Sequence, residues 1–176
     1  MPKAKRRPKH KNMLAVSIPI VLVLSILIIY YVYTHSSSSA PSSSPLNQQY
    51  ISVYVDGSTY RVSKNDIASI VSKVIKDNQR ESINLIAFGA TTCPFCRNLH
   101  EFFEKYFKDK CLFLWIDDPN NADLFRNLAK IEQNNGLPPS YAYSVPQTIV
   151  VKHGEPIAIV IGSITDASFW QNLLSA

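Results

Sequence analysis

Residues 83–107 read INLIAFGATTCPFCRNLHEFFEKYF, and the rest of the chain can be organised around them. The run Ile83–Phe88 is short and apolar without alternation, which predicts a strand buried on both faces. Leu99, Phe102, Phe103, Tyr106 and Phe107 then recur on one face of a helix. Thr92-Cys93-Pro94-Phe95-Cys96 falls at the junction, where the strand becomes the helix. A helix N-terminus presents unpaired N–H groups and a positive dipole end, and both stabilise a thiolate. Pro94 suits the first turn, because its missing N–H has no helical partner there. Cys93 comes first and is expected to be the more exposed thiol, with a lowered pKa, able to attack a disulfide. Cys96, three residues on, reaches the same face and can resolve the mixed disulfide.

Outward from this motif, strand and helix patterns alternate. Tyr50 to Val62 reads YISVYVDGSTYRV, with alternating apolar residues around Asp56-Gly57, a strong hairpin signal. Ser63-Lys64-Asn65-Asp66 offers a capping-box-like start. Ile67, Ile70, Val71, Val74 and Ile75 continue it as a helix to about Asn78. On the other side, CLFLWI (111–116) is a second buried strand ended by Asp118 and Pro119. Leu124, Leu128 and Ile131 mark a helix closed by Asn135-Gly136, and a loop rich in proline and tyrosine follows. TIVV (148–151) and IAIVI (157–161) flank His153-Gly154 as an antiparallel pair, and Thr165 is placed to cap a last helix bearing Phe169, Trp170, Leu173 and Leu174. The order predicts an α/β domain with a mixed sheet flanked by helices: crossovers through helices imply a central parallel pair, and the short final turn implies an antiparallel edge.

With both ends of this pattern in view, residues 50–176 resemble the thioredoxin superfamily. FGATTCPFC matches its strand–CxxC–helix segment. Val145-Pro146-Gln147-Thr148, the strand and turn through Glu155, and Gly162 resemble its cis-proline, hairpin and glycine series. The resemblance implies a thioredoxin-like fold, a redox-active Cys93–Cys96 pair and a cis-proline at Pro146 facing Cys93. It further implies that Pro94, Phe95, Val145 and Pro146 bind the substrate chain, with Val145 lending backbone atoms. Departures accompany it. Ala87 stands six residues before Cys93, where thioredoxins carry a buried aspartate, which argues against efficient thioredoxin-like reduction. The Pro-aromatic centre is more similar to glutaredoxins and exported disulfide oxidases, and TTCPFCRNLHEFF resembles periplasmic disulfide isomerases.

Other readings of the motif compete. A lone CxxC can be half of a zinc site, but such a site needs a second close Cys/His pair, and Cys111, His100 and His153 show no paired spacing. A structural disulfide is a further alternative, as is a copper chaperone-like module using the same pair. For copper, the only methionines, Met1 and Met13, lie outside the body. A redox-inert scaffold is the third class. Among the neighbours, Arg97 could favour a thiolate or be an ordinary solvated arginine. His100 reads as a helix-surface residue and Cys111 as an inert core thiol. Tyr141 and Tyr143 either rim the groove or pack the loop.

The first 49 residues differ in kind. Met13 to Tyr33 is 21 residues without a charge, as a helix ~32 Å long, matching a hydrocarbon core of about 30 Å. Tyr30, Tyr31 and Tyr33 crowd one end as interfacial aromatics do. Six basic residues in the first eleven positions precede the span and predict a cytoplasmic N-terminus. A cleaved signal peptide is the alternative, but its apolar core is usually ~7–15 residues, and a twin-arginine signal at Arg6-Arg7 is poorly matched by Pro8-Lys9. SSSSAPSSSPLN (36–47) has no apolar periodicity and reads as a solvated tether.

The charge balance follows the same division. Of 176 residues, 18 are basic and 13 acidic, a formal net charge of +5. Setting the six basic tail residues aside leaves 12 against 13, so the body carries no obvious phosphate-binding field and no nucleic-acid partner is expected. The expected organisation is a basic cytoplasmic tail (1–12), a transmembrane helix (13–34), a Ser/Pro-rich tether (35–49) and a thioredoxin-like domain (50–176). The expected activity is disulfide exchange with extracytoplasmic protein thiols and disulfides, recycled by a redox partner, without metal or organic cofactor.

Overall fold

The computed structural model describes residues 49–80 and 82–175. The tail, the span at 13–34 and the tether up to residue 48 lie outside them; among the described residues no helix is long and apolar enough to cross a membrane.

The chain runs β1 (Tyr50–Val55), β2 (Ser58–Ser63), α1 (Lys64–Asn78), β3 (Leu85–Gly89), α2 (Pro94–Tyr106), β4 (Cys111–Trp115), α3 (Pro119–Asn134), α4 (Pro139–Ala142), β5 (Gln147–Lys152), β6 (Glu155–Ile161) and α5 (Ala167–Ser175). Apart from the one-turn α4, this is the α/β order expected from the apolar pattern. Asp56 and Gly57 both take positive φ, 48° and 73°, so the β1–β2 loop adopts the left-handed backbone that a two-residue hairpin requires. The Ser63 hydroxyl accepts from the Asp66 N–H at 3.5 Å and starts α1. Asp118 does the same for α3 through Asn120 at 2.8 Å. The last helix is capped by Asp166 rather than Thr165: its carboxylate accepts from the Ser168 N–H at 2.8 Å. The Ser168 hydroxyl, which donates to the same carboxylate at 2.7 Å, and then that N–H hold the Asp166 carboxyl below its ordinary value.

The six strands form one mixed sheet in the order β2-β1-β6-β5-β3-β4. β3 and β4 are parallel, β5 is antiparallel to both β3 and β6, and β1 runs parallel to β6. The expected central parallel pair with an antiparallel edge is therefore corrected. The parallel β3–β4 pair ends at an edge and the β5–β6 hairpin is interior, because the β1–β2 hairpin docks on β6 and continues the sheet. Side chains alternate across the strands, and two helical layers cover the two faces. Ile86, Phe88, Ile149, Val151 and Ile159 meet Ile67, Ile70 and Val74 of α1 and Phe125 and Leu128 of α3. Leu85, Ala87, Val150 and Val160 meet Leu99 and Phe103 of α2 and Trp170 of α5. Trp170 is fully buried, with its indole N–H donating to the Ile164 carbonyl at 2.8 Å.

Candidate thiol site

β3 delivers the chain to the cysteines at its C-terminal end. Cys93 is the N-cap of α2, in extended conformation with φ −84° and ψ 116°, and Pro94 occupies the first turn. The Cys93 sulfur accepts from the backbone N–H of Cys96 at 3.2 Å. The capping role usually taken by a serine or aspartate oxygen falls to a thiol, so a helix N-terminal donor points at the sulfur. This geometry suits an atom that carries negative charge. Cys93 is half-buried and Cys96 fully buried. Burial first, and then the adjacent Cys93, pushes the Cys96 thiol up to about 12. The two sulfurs thus differ in kind: one is accessible and faces a backbone donor, the other is held behind it as a protonated thiol.

Gly89 explains how close α2 comes to the sheet. A Cβ there would lie 2.6 and 2.8 Å from the Phe113 ring and 3.0 Å from Cys96 Cβ. The first turn of α2 rests on bare backbone, and glycine leaves the room.

The second wall comes from the loop before β5. The Val145–Pro146 peptide bond is cis, and the Cys93 thiol faces the Val145 carbonyl at 3.9 Å. The Gly162 N–H donates to the Pro146 carbonyl at 2.9 Å and ties this loop to the end of β6. Cys93, Cys96, Val145 and Pro146, 52 residues apart at the Cys93–Val145 contact, are thus brought together. Phe95 projects from the same turn and is 65% exposed, an unusual position for a large apolar side chain. Pro94 is exposed beside it.

The neighbours sort differently from one another. The Arg97 guanidinium donates to the Thr91 carbonyl at 2.6 Å and so braces the loop ahead of the motif. The Thr91 N–H in turn donates to the Asp117 carboxylate at 2.8 Å. His100 is not a free helix-surface residue: it is half-buried with its ring 5.0 Å from Phe113 and 5.2 Å from Trp115. Cys111 is buried at the start of β4, and burial pushes its thiol up to about 12. Tyr141 packs on Tyr60 at 6.4 Å, whereas Tyr143 is exposed.

Sequence reasoning missed a buried polar group behind the Pro146 loop. Glu132 of α3 is fully buried, and its Oε2 accepts from Gln147 Nε2 at 2.9 Å. Burial drives its carboxyl up to about 8 against the lowering effect of that bond. A signal was present: Phe125, Leu128 and Ala129 define the buried face of α3, and residue 132 continues their spacing. On the other face of the sheet Ala87 is fully buried opposite Thr148, whose hydroxyl is buried without a partner among the described residues.

Among the described residues no three His, Cys, Asp or Glu side chains cluster closely enough to hold a metal ion. A polar cleft of about 670 Å³ lies between the end of α1 and the start of α3, lined by residues such as Asp77, Asn78 and Asn121, and contains neither cysteine. Compared with known proteins, the chain matches no family model, and no curated protein sequence matches it.

Proposed function

We propose that this protein is a membrane-anchored thiol–disulfide oxidoreductase with a thioredoxin-like catalytic domain facing an extracytoplasmic space. The observation that carries the reading is the pairing of an N-capping, half-buried Cys93 with a fully buried Cys96 beneath the Val145 carbonyl. The Cys93 thiolate attacks one sulfur of a partner's disulfide, forms a mixed disulfide and releases the partner's other sulfur as a thiolate. The Cys96 thiol then passes its proton to the released partner thiolate and attacks Cys93, so the Cys93–Cys96 disulfide forms and the partner leaves reduced, its second sulfur a thiolate that solvent protonates. Two electrons pass from the chain to the partner; run backwards, the same steps oxidise a partner dithiol. Capping of Cys93 in the mixed disulfide removes the neighbouring thiol that helps to hold the Cys96 proton, which eases the second attack. A separate redox partner resets the pair, and the chemistry needs no metal or organic cofactor. Exposed Phe95 and Pro94, with the Val145 and Pro146 backbone, offer an extended substrate chain an apolar contact and a carbonyl acceptor.

Topology in the membrane rests on the sequence: the uncharged stretch at 13–33 and the basic residues before it. The test of the chemistry is the Cys96→Ser variant. It accumulates DTT-sensitive adducts between Cys93 and partner proteins, and Cys93→Ser does not. Adducts from Cys93→Ser but none from Cys96→Ser would reverse the two roles; a pair that stays oxidised in millimolar DTT and traps nothing in either variant would make the disulfide structural.

A further inference from the structure

Glu132 and Gln147 sit face to face in the interior, both fully buried and joined by one hydrogen bond of 2.9 Å. Among the described residues each also keeps one oxygen without a partner, Glu132 Oε1 and Gln147 Oε1. Both orphans are acceptors if Glu132 is a carboxylate, and two buried acceptors cannot satisfy each other. A carboxylic acid has one O–H to donate, and an amide oxygen is a good acceptor. One proton on Glu132 Oε1, if directed at Gln147 Oε1, would satisfy both atoms and close a ring of reciprocal bonds. The site stands at a mechanically relevant place. Gln147 directly follows Pro146, and its backbone registers with Phe88 on the strand that leads to Cys93. On the other side the Glu132 carbonyl accepts from the Leu137 N–H at 3.0 Å, where the chain turns toward α4 and the Val145 loop.

We propose that Glu132 stands as a neutral carboxylic acid paired with Gln147, and that this pair is a positioning element that holds the Val145–Pro146 rim against Cys93. The proposal rests on the exchange reading for its consequence, not for the protonation itself. A carboxylate at Glu132 leaves a buried charge with a single donor, and that donor stands on the first residue of β5, directly after Pro146. Charges elsewhere do not offset this. Arg61 on β2 and Asp66, Lys73, Lys76 and Asp77 on α1 are exposed, Lys64 is half-exposed, and Asp123 and Arg126 on α3 pair with each other. Lys130 on α3 is exposed, and Tyr60 on β2, Tyr141 on α4, Cys111 on β4 and Lys152 on β5 are further titratable groups of the flanking elements. None of these acts on the Glu132 carboxyl, which answers to burial and to Gln147 and titrates at about 8.

The experiment uses the reduced full-length chain in detergent micelles, as wild type and as Glu132→Gln, which preserves the shape and the paired bonds but cannot ionise. Infrared difference spectra between the two follow the protonated-carboxyl C=O stretch against pH. Exchange rates are measured with a self-quenched peptide disulfide, and iodoacetamide alkylation of Cys93 serves as a probe that needs no groove. The band is expected at neutral pH and is lost with a midpoint near 8. The wild-type to Glu132→Gln ratio of peptide exchange rates falls about tenfold between pH ~7 and ~9, as the neutral fraction does, while the alkylation ratio stays level. Absence of the band at pH ~6 would overturn the neutral pair. A band that titrates while the peptide ratio stays flat would overturn the positioning role. If Cys93 alkylates but no variant exchanges with any peptide disulfide, the oxidoreductase reading and the positioning role fall together, and the infrared arm still decides the protonation.

Discussion

Substituting Glu132 by Gln should change how stability depends on pH, and the size of the effect follows from the burial of that one side chain. The unfolded chain releases the Glu132 proton near its ordinary value of 4.5, whereas the folded chain keeps it to about 8. Between those values unfolding releases a proton, so stability contributed by this group is intact below 4.5 and is lost as pH rises toward 8. At 1.36 kcal/mol per pH unit, the whole window amounts to about 5 kcal/mol, and about 3 kcal/mol of it is already lost at pH 7. Net stabilities of small domains are about 5–15 kcal/mol, so the effect is large. Glu132→Gln has no proton to lose. Urea unfolding of both proteins, followed by the fluorescence of buried Trp170 at intervals from pH ~4 to ~9, should show the variant gaining on the wild type as pH rises, and the gain should level off above pH ~8. Every other titrating group cancels in the difference. Parallel stability curves for the two proteins across that range would refute the reasoning, because they would mean that Glu132 carries the same charge folded and unfolded.

Gly89→Ala drives a methyl group into the Phe113 ring and against Cys96 Cβ; a loss of ~1–3 kcal/mol in urea unfolding is expected, and a variant as stable as the wild type would show that α2 does not rest on bare backbone. Cys111, buried with its thiol at about 12, should resist iodoacetamide in the native protein and react only after denaturation, which peptide mapping reads directly; rapid native labelling would contradict its burial. Protease treatment of intact cells should release or digest the catalytic body, and protection until lysis would overturn the extracytoplasmic assignment.

What could be read from the chain was what local chemistry dictates. Apolar spacing at Ile67–Ile75 and the unbroken run at 83–88 identify a helix and a strand without any knowledge of neighbours. Asp56-Gly57 and Cys93-Pro94 announce a turn and a helix start. Strand neighbours are another matter: nothing in YISVYV says that it pairs with residues 158–161, because apolar alternation records which face is buried and not what lies beside the edge. The helix-linked parallel pair, β3–β4, was therefore expected at the centre and lies at one edge, and the interior parallel pair is β1–β6. Thr165 and Asp166 both cap well, and only the backbone path selects Asp166. Glu132 was passed over because a charged residue on an apolar helical face is ordinarily read as a break in the pattern, when its spacing marks a deliberate interior position.

The polarity of the sheet has a geometric consequence for the proposed tether. β1, β6, β3 and β4 all point the same way. The chain enters the domain at Tyr50, at the tail end of that common direction, and reaches Cys93 just beyond its head. With strands of five to seven residues rising about 3.3 Å each, entry point and nucleophile stand at opposite poles, roughly 20 Å apart. The proposed tether, joining at residue 49, would meet the body at the end away from the reactive sulfur. Lengthening or shortening that tether would alter how far the thiol can reach without altering the groove it works in, and so separates the choice of partner by location from the choice by fit.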